Sequence, residues 1–292
     1  MNPRYLVAGA DGLLGGTLRR YWLQQGHEVA STSLLPLENG EGVLHLDLAQ
    51  SPDKWPELPS CRAAVLCAAI TNLEQCRRDP AGTSRVNVTH TLELAQRLLE
   101  RNCFVVFISS NLVFNGDKPV CPPDEPFSPR TEYGRQKAQL EASLSTLGDR
   151  VGIVRLTKVM HAGLPLIRGW KQALGEGKPI TPFTDLLCSP ITLDATVRIL
   201  AKVAENELGG VWQLSGTADI SYAEVAQRLV RHGGYDGALI RPLLARETAN
   251  LEHLPRHTTL DASRSKKTLG FEILDPASVL DRALLIHETK SV

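Results

Sequence analysis

Neither sign of charge is in excess in this sequence: over 292 residues, Lys and Arg total 32 and Asp and Glu total 32. A neutral balance offers no basic face for nucleic acid or for an anionic membrane surface. No apolar run approaches the roughly 20 residues of a membrane-spanning helix. The six cysteines (Cys61, Cys67, Cys76, Cys103, Cys121 and Cys188) follow no zinc-ligand spacing and are too sparse for a disulfide scaffold. They read as reduced, mostly buried thiols of a cytoplasmic protein, and no metal site is expected. A strand-like run begins almost at the N-terminus, so no secretory leader is expected and the sequon Asn87-Val88-Thr89 carries no meaning. Repeats and low-complexity segments are also absent. With these absences, no nucleic-acid or membrane partner is expected.

What the chain does have is glycine at a strand–helix junction. Residues 5–8, Tyr-Leu-Val-Ala, are an apolar run too short for a helix and suited to a central parallel strand. Gly9, Gly12 and Gly15 follow at the spacing GxxGxxG. Gly9 permits a tight turn, Gly12 lets backbone approach a ligand, and Gly15 lets the next helix pack on the strand. That helix is expected over 13–25, with Gly26 as its stop. Its unpaired N–H groups and positive dipole end suit a pyrophosphate.

Strand and helix then alternate. Strands are expected at 27–31, 42–46, 63–69, 104–108 and 151–156, helices at 83–100 and 131–147, and a proline-rich loop at 119–129. The alternation implies an α/β fold, a Rossmann-type doubly wound parallel sheet that binds ligands at the carboxyl ends of its strands. Past Arg155 the pattern changes. Helices are expected at 164–175, 195–205 and 221–232, the last opened by a Ser221/Glu224 capping box, with a strand at 210–214 and Gly270 closing 260–269. The expected division is a dinucleotide-binding domain over 1–157 and a smaller substrate-binding lobe over 158–292, partly interleaved with the sheet.

A second motif, Tyr133-Gly134-Arg135-Gln136-Lys137, lies on the helix expected at 131–147. Positions four apart share a helix face, so a phenol and an ammonium stand side by side. The cation favours phenolate and is expected to depress the phenol's pKa, which suits a general acid or base. Ser110 falls just past the carboxyl end of the fifth strand, where a doubly wound sheet places its chemistry.

The order Gly9/Gly12/Gly15, Ser110, then Tyr133 and Lys137 resembles an extended short-chain dehydrogenase/reductase. More narrowly, it resembles the dTDP-4-dehydrorhamnose reductase group, which acts on nucleotide sugars. Ser109-Ser110-Asn111-Leu112-Val113-Phe114-Asn115-Gly116 is similar to that group's S-T-D-Y-V-F-D-G, and Glu132 to Lys137 is similar to its V-Y-G-x-x-K. Cys67-Ala68-Ala69 stands where the group has N-A-A. Ser189-Pro190, Asp194 and Trp212 to Gly216 match further landmarks. The resemblance implies an NAD(P)-dependent reductase, or epimerase/reductase, of a keto group on a nucleotide-linked sugar. It also implies roles. Gly12, Leu13 and Leu14 present backbone to the pyrophosphate, Asp47 and Leu48 meet the adenine, and Ala68, Ala69 and Ile70 line the cofactor groove. Ser110 orients the carbonyl, Tyr133 donates the proton, and Lys137 holds the ribose hydroxyls. Asn111 and Lys158 fall to the substrate. Leu112, Lys158 and the run 185–188 depart from the group's pattern on the sugar side. A regulatory, non-catalytic reading stays open, because the chain also resembles the methionine adenosyltransferase β subunit; a homodimer is a further expectation from the group.

Cofactor choice turns on another absence. The second strand ends Ala30-Ser31-Thr32-Ser33, with no Asp or Glu to accept from a ribose 2′-hydroxyl. The missing carboxylate removes the main bar to a 2′-phosphate, and the hydroxyls, Thr32 foremost, are placed to donate to one. Arg19 and Arg20 lie only on the first helix. NADP(H) is therefore the expected cofactor, with NAD(H) second.

Overall fold

The four residues Tyr5–Ala8 (β1) are all buried, as a strand covered on both faces must be. They sit inside a seven-stranded sheet completed by Val29–Ser33 (β2), Val43–His45 (β3), Ala63–Leu66 (β4), Phe104–Ser110 (β5), Val151–Leu156 (β6) and Gly210–Leu214 (β7). The order is β7-β6-β5-β4-β1-β2-β3. β1 pairs in parallel with β2 and β4, β2 with β3, and β4 with β5. The winding direction reverses between β1 and β4, which makes their carboxyl ends the ligand crevice of a doubly wound sheet. The computed structural model describes residues 4–35, 43–247 and 251–285; the start of the strand expected at 42–46 lies partly outside them.

Two compact units divide the chain. The first comprises Met1–Phe114, Pro126–Arg155 and Val197–Trp212, and the second Asn115–Glu125, Leu156–Thr196 and Gln213–Val292. In the first, Leu6, Ala64, Leu94, Val105, Phe107 and Leu140 belong to one apolar core. The helices Leu13–Gln24 (α1), Thr91–Glu100 (α2) and Glu132–Ser145 (α3) belong to this unit. In the second, Ile167, Trp170, Val225, Leu229, Val279 and Leu280 share a separate core. Its helix Tyr222–Gly233 (α4) carries the expected capping box, with both Ser221–Glu224 bonds formed, and ends on left-handed Gly234. Gly270, at φ +66°, likewise closes the helix Ser263–Leu269.

Three differences from the sequence expectation bear on the site. β2 covers Val29–Ser33, two residues further along than the span expected at 27–31, and its register with β1 pairs Ala8 with Thr32. β5 runs to Ser110, so that serine is the last residue of the strand. The helix expected at 83–100 is broken into Pro80–Ser84, a π-turn Arg85–His90 and α2. The π-turn turns Asn87 inward, where it is 1% exposed.

The glycine turn explains its own residues. Gly9, at φ +89°, sits where a Cβ would stand 2.6 Å from Ala68 N. A Cβ on Gly15 would stand 2.1 Å from Gly9 O, so α1 meets the turn backbone to backbone. Gly12 differs: the nearest atom to its Cβ position is Gly9 O at 3.5 Å, an ordinary contact. Its φ of −79° is open to any residue. Gly15→Ala is therefore expected to cost on the order of 1–3 kcal/mol by overpacking, and Gly12→Ala less than about 0.5 kcal/mol. Urea denaturation of the two variants checks this, and equal losses would contradict it.

Candidate active site

At the carboxyl ends of β1 and β4, a groove of about 370 Å³ is lined by Gly9, Gly12, Asp47, Leu48, Ala69 and Ile70, among others. All six were expected from the sequence, and Ala68 lines it with them. Asp47 accepts from Ala49 N at 2.8 Å, which bends the chain along the groove wall. Leu48 O is held by His90 Nδ1 at 2.6 Å, and the carbonyl can only accept. Gly12 caps α1 without any side-chain hydrogen bond. The first-turn N–H groups of Leu13, Leu14 and Gly15 have no acceptor within the helix, as in any helix, and they open at Gly12. A Cβ-free position bounded only by ordinary contacts, beside an uncapped helix N-terminus, fits a dinucleotide pyrophosphate.

Some expected residues lie elsewhere. Leu13 is exposed, Leu14 is half-buried and neither side chain lines the groove, so they offer backbone only. Gly15 packs against Gly9. Thr32 is 1% exposed, and its Oγ1 accepts from Gly9 N at 3.2 Å. It shapes the glycine turn from a buried position. Ser33 Oγ is engaged by Leu35 N at 3.0 Å, and Ser31 is fully buried. The three hydroxyls are thus withdrawn because Ser31 to Ser33 lie within the buried end of β2, and Leu34 takes the groove-lining place. Lys158 is exposed in the second unit, in the strand Lys158–Met160, where its N–H donates to Ser189 O at 3.1 Å.

The sequence reading missed Asn87. Its Oδ1 accepts from Ile70 N at 2.8 Å, while its Nδ2 donates to Ile70 O at 2.9 Å and to Gln136 Oε1 at 2.8 Å. Gln136 Nε2 reaches Thr83 Oγ1 at 2.9 Å. One buried amide thereby ties the groove wall at Ile70 to α3. The signal was available as a polar residue inside an apolar helical stripe, and the sequon reading obscured it. Cys67 also lines the groove, half-buried. Burial pushes its thiol up to about 12, against a weaker opposing pull from Lys137, so a neutral group stands there.

α3 begins at Thr131, whose Oγ1 accepts from Gly134 N at 3.1 Å. A Cβ on Gly134 would stand 2.2 Å from Leu112 O, so this glycine lets the helix close on the turn Asn111–Val113. Ser110 Oγ accepts from Leu112 N at 3.2 Å and donates to Asn111 Oδ1 at 3.4 Å. Lys137 is 4% exposed and donates from Nζ to Ile108 O at 2.9 Å, two residues before Ser110. Its ammonium lies 4.5 Å from the Phe107 ring centre and 5.6 Å from that of Tyr133. The structure so gathers Ser110, Asn111, Tyr133 and Lys137 around the end of β5.

The expected depression of the phenol is not what the site does. Burial pushes Tyr133 above its ordinary value, with Cys76 adding to the effect. Lys137 stands over the ring face instead of beside the hydroxyl, so burial outweighs the cation. Burial likewise pulls Lys137 down from 10.5 to about 8 against the opposing influence of Glu141.

A doubly wound sheet, a glycine turn on its first strand and a Tyr-Lys pair beside its fifth define an oxidoreductase of the extended short-chain dehydrogenase/reductase type. The family model described as RmlD substrate binding domain matches residues 3–285, and the chain belongs to that family. It is 30% identical over 276 residues to a dTDP-4-dehydrorhamnose reductase of Streptomyces griseus, covering 91% of this chain and 88% of that one. It is 22% identical over 296 residues to methionine adenosyltransferase 2 subunit beta of Bos taurus, covering 92% and 83%. Among solved structures, dTDP-4-dehydrorhamnose reductase of Bacillus anthracis in complex with NADP superposes with a TM-score of 0.82 at 19% identity, covering 97% and 99%. MoeE5 in complex with UDP-glucose and NAD gives 0.81 at 22% identity, covering 96% and 97%. At those identities the superpositions show the fold. No helix among the described residues is long and apolar enough to cross a membrane.

The lowered Lys137 value has a stability consequence. Between pH 8 and 10.5 the unfolded chain binds the lysine proton more tightly than the folded one, so stability rises with pH across that window. Below pH 8 the full penalty of the buried charge applies, up to about 3 kcal/mol. Lys137→Met is expected to be more stable than the parent at pH 7, with the gap closing as pH approaches 10.5. Urea titrations at pH 7 and near the upper bound measure it, and a pH-independent gap would contradict the burial argument.

Proposed function

We propose that the chain is a reductase, or an epimerase/reductase, of a keto group on a nucleotide-linked sugar, using NADP(H) with NAD(H) as second cofactor. The observation that carries this reading is the coexistence, within one unit, of a dinucleotide groove and a buried Tyr-Lys pair at the carboxyl edge of the same sheet. The 30% identical relative named for such a reaction and the structural neighbours holding NADP, or UDP-glucose with NAD, support it. Gly9, Gly12 and the α1 N–H groups of Leu13, Leu14 and Gly15 would hold the pyrophosphate, Asp47 and Leu48 the adenine end, and Ala68, Ala69 and Ile70 the opposite wall. When bound, the nicotinamide supplies a hydride.

The remaining chemistry belongs to this chain. Ser110 Oγ would turn its one proton from the long contact to Asn111 Oδ1 to the keto oxygen and so orient it. Tyr133 Oη has no hydrogen bond among the described residues and is free to give its proton to that oxygen. Its raised pKa keeps the proton in place until a stronger acceptor forms. Lys137 binds ribose hydroxyls, and its charge favours the phenolate left behind. Asn111, and Lys158 in the second unit, are assigned to the substrate, and residues 158–292 to a smaller substrate-binding lobe. The six cysteines without a disulfide support a cytoplasmic protein, and a homodimer is the proposed assembly.

Oxidation of NADPH and NADH across a panel of dTDP- and UDP-linked keto sugars tests the reading. Tyr133→Phe is expected to lose about 10²- to 10⁴-fold in turnover with unchanged dinucleotide affinity. Gly12→Val is expected to lose that affinity while keeping its melting temperature. A Tyr133→Phe enzyme with parental rates overturns the proton-donor role. A parent that binds NADPH but reduces no keto sugar favours the regulatory reading, which the similarity to methionine adenosyltransferase 2 subunit beta supports.

A further inference from the structure

Tyr133, Lys137 and Glu141 stand at intervals of four on α3, so their side chains share one helix face. All three are buried, Glu141 at 1% exposure. Arg155 of β6 holds both oxygens of Glu141: Nε lies 3.1 and 3.0 Å from them, and Nη2 lies 2.7 Å from Oε2. Arg155 is itself 3% exposed, and its guanidinium lies 4.9 Å from the Phe114 ring centre and 5.5 Å from that of Phe127. A planar fork against a carboxylate, packed on aromatic rings, fixes the carboxylate in place. Stability alone is a weak reason for such a pair, since apolar residues of similar volume often serve as well or better. The position of the pair, one helical turn behind Lys137, points to the ammonium.

We propose that Glu141, clamped by Arg155, is a positioning residue that keeps Lys137 charged at neutral pH without drawing its ammonium away from the Tyr133 phenol. The consequence for turnover rests on the reductase reading; the electrostatics do not. An unclamped buried carboxylate one turn from an ammonium would pair with it directly. With both Glu141 oxygens taken by Arg155, Lys137 Nζ bonds to Ile108 O and lies over Phe107 and Tyr133. The other titratable groups around it are the thiols of Cys67 and Cys76 and the Tyr133 phenol, while β5 faces it with Phe107 and Ile108. Glu141 is the carboxylate among these neighbours, and it is the largest influence opposing the burial of Lys137. Arg155 stands behind Glu141 and moderates it.

The test is an NMR pH titration of protein labelled at lysine Cε, with the Lys137 signal identified by its loss in Lys137→Met. Glu141→Gln removes the negative charge and leaves the positive one, so the Lys137 midpoint is expected to fall by about one pH unit or more. Arg155→Met fills the space between the two phenyl rings and frees the carboxylate, so the midpoint is expected to rise. The double variant is expected between Glu141→Gln and the parent, since the nearer charge dominates. Should Glu141→Gln not fold, the order double variant, parent, Arg155→Met still decides. Unchanged midpoints, or shifts of the same sign in both single variants, overturn the proposal, because a purely structural pair predicts no opposed shifts. The alkaline limb of kcat/KM should move with each midpoint. The titration needs neither substrate nor turnover. Failed shifts with intact turnover reject this role alone, and intact shifts without turnover reject only the reductase reading.

Discussion

Burying the Lys137 ammonium constrains the polar structure around the carboxyl end of β5. A charge withdrawn from water is tolerated only where fixed dipoles, ring faces or opposite charges replace the water. Here the replacement is made of the Ile108 carbonyl, the rings of Phe107 and Tyr133 and the nearby Glu141 carboxylate. Each belongs to a different constraint. The carbonyl requires β5 to hold its course to Ser110, and the carboxylate requires Arg155 on the neighbouring strand. The phenol requires the close approach of α3 to the turn Asn111–Val113 that Gly134 allows. Moving any one of them would leave a cation partly unsolvated in the interior.

Asn87 imposes a second constraint, on the groove wall at Ile70. A side-chain amide that both accepts from and donates to the backbone of Ile70 imitates a strand partner. It holds extended chain where no strand is available. The π-turn that brings Asn87 inward inserts an extra residue in the helical register, a departure that recurs at functional sites. Through Gln136 the same amide is coupled to α3, so the groove wall and the Tyr-Lys helix share one hydrogen-bonded frame.

Much of this was legible before any coordinates. The alternation of apolar runs and helical stripes carried the doubly wound sheet, and the Gly9/Gly12/Gly15 spacing marked the turn. The Tyr133-to-Lys137 interval and Ser110 marked residues that the fold brings together at the end of β5. The parts that were not legible share a cause: each depends on register or on distance across the fold. Periodicity cannot say which way the hydroxyls at the end of β2 turn, yet Thr32 is taken into the glycine turn while Leu34 reaches the groove. Spacing four places phenol and ammonium on one face. It cannot say that the ammonium lies over the ring, or that burial outweighs its field. The Glu141–Arg155 pair joins a helix to a strand, and nothing local announces it.

The two glycines three residues apart in the turn answer to different masters. Gly15 is demanded by the polypeptide itself, since a methyl group there would strike Gly9. Gly12 is demanded by nothing in the folded chain. A descendant that abandoned its dinucleotide while keeping the fold would be free to drift at position 12 and held fast at position 15. The pair is therefore a small historical recorder. In a lineage turned to scaffolding, its asymmetric decay would date the loss of the cofactor separately from any loss of structure.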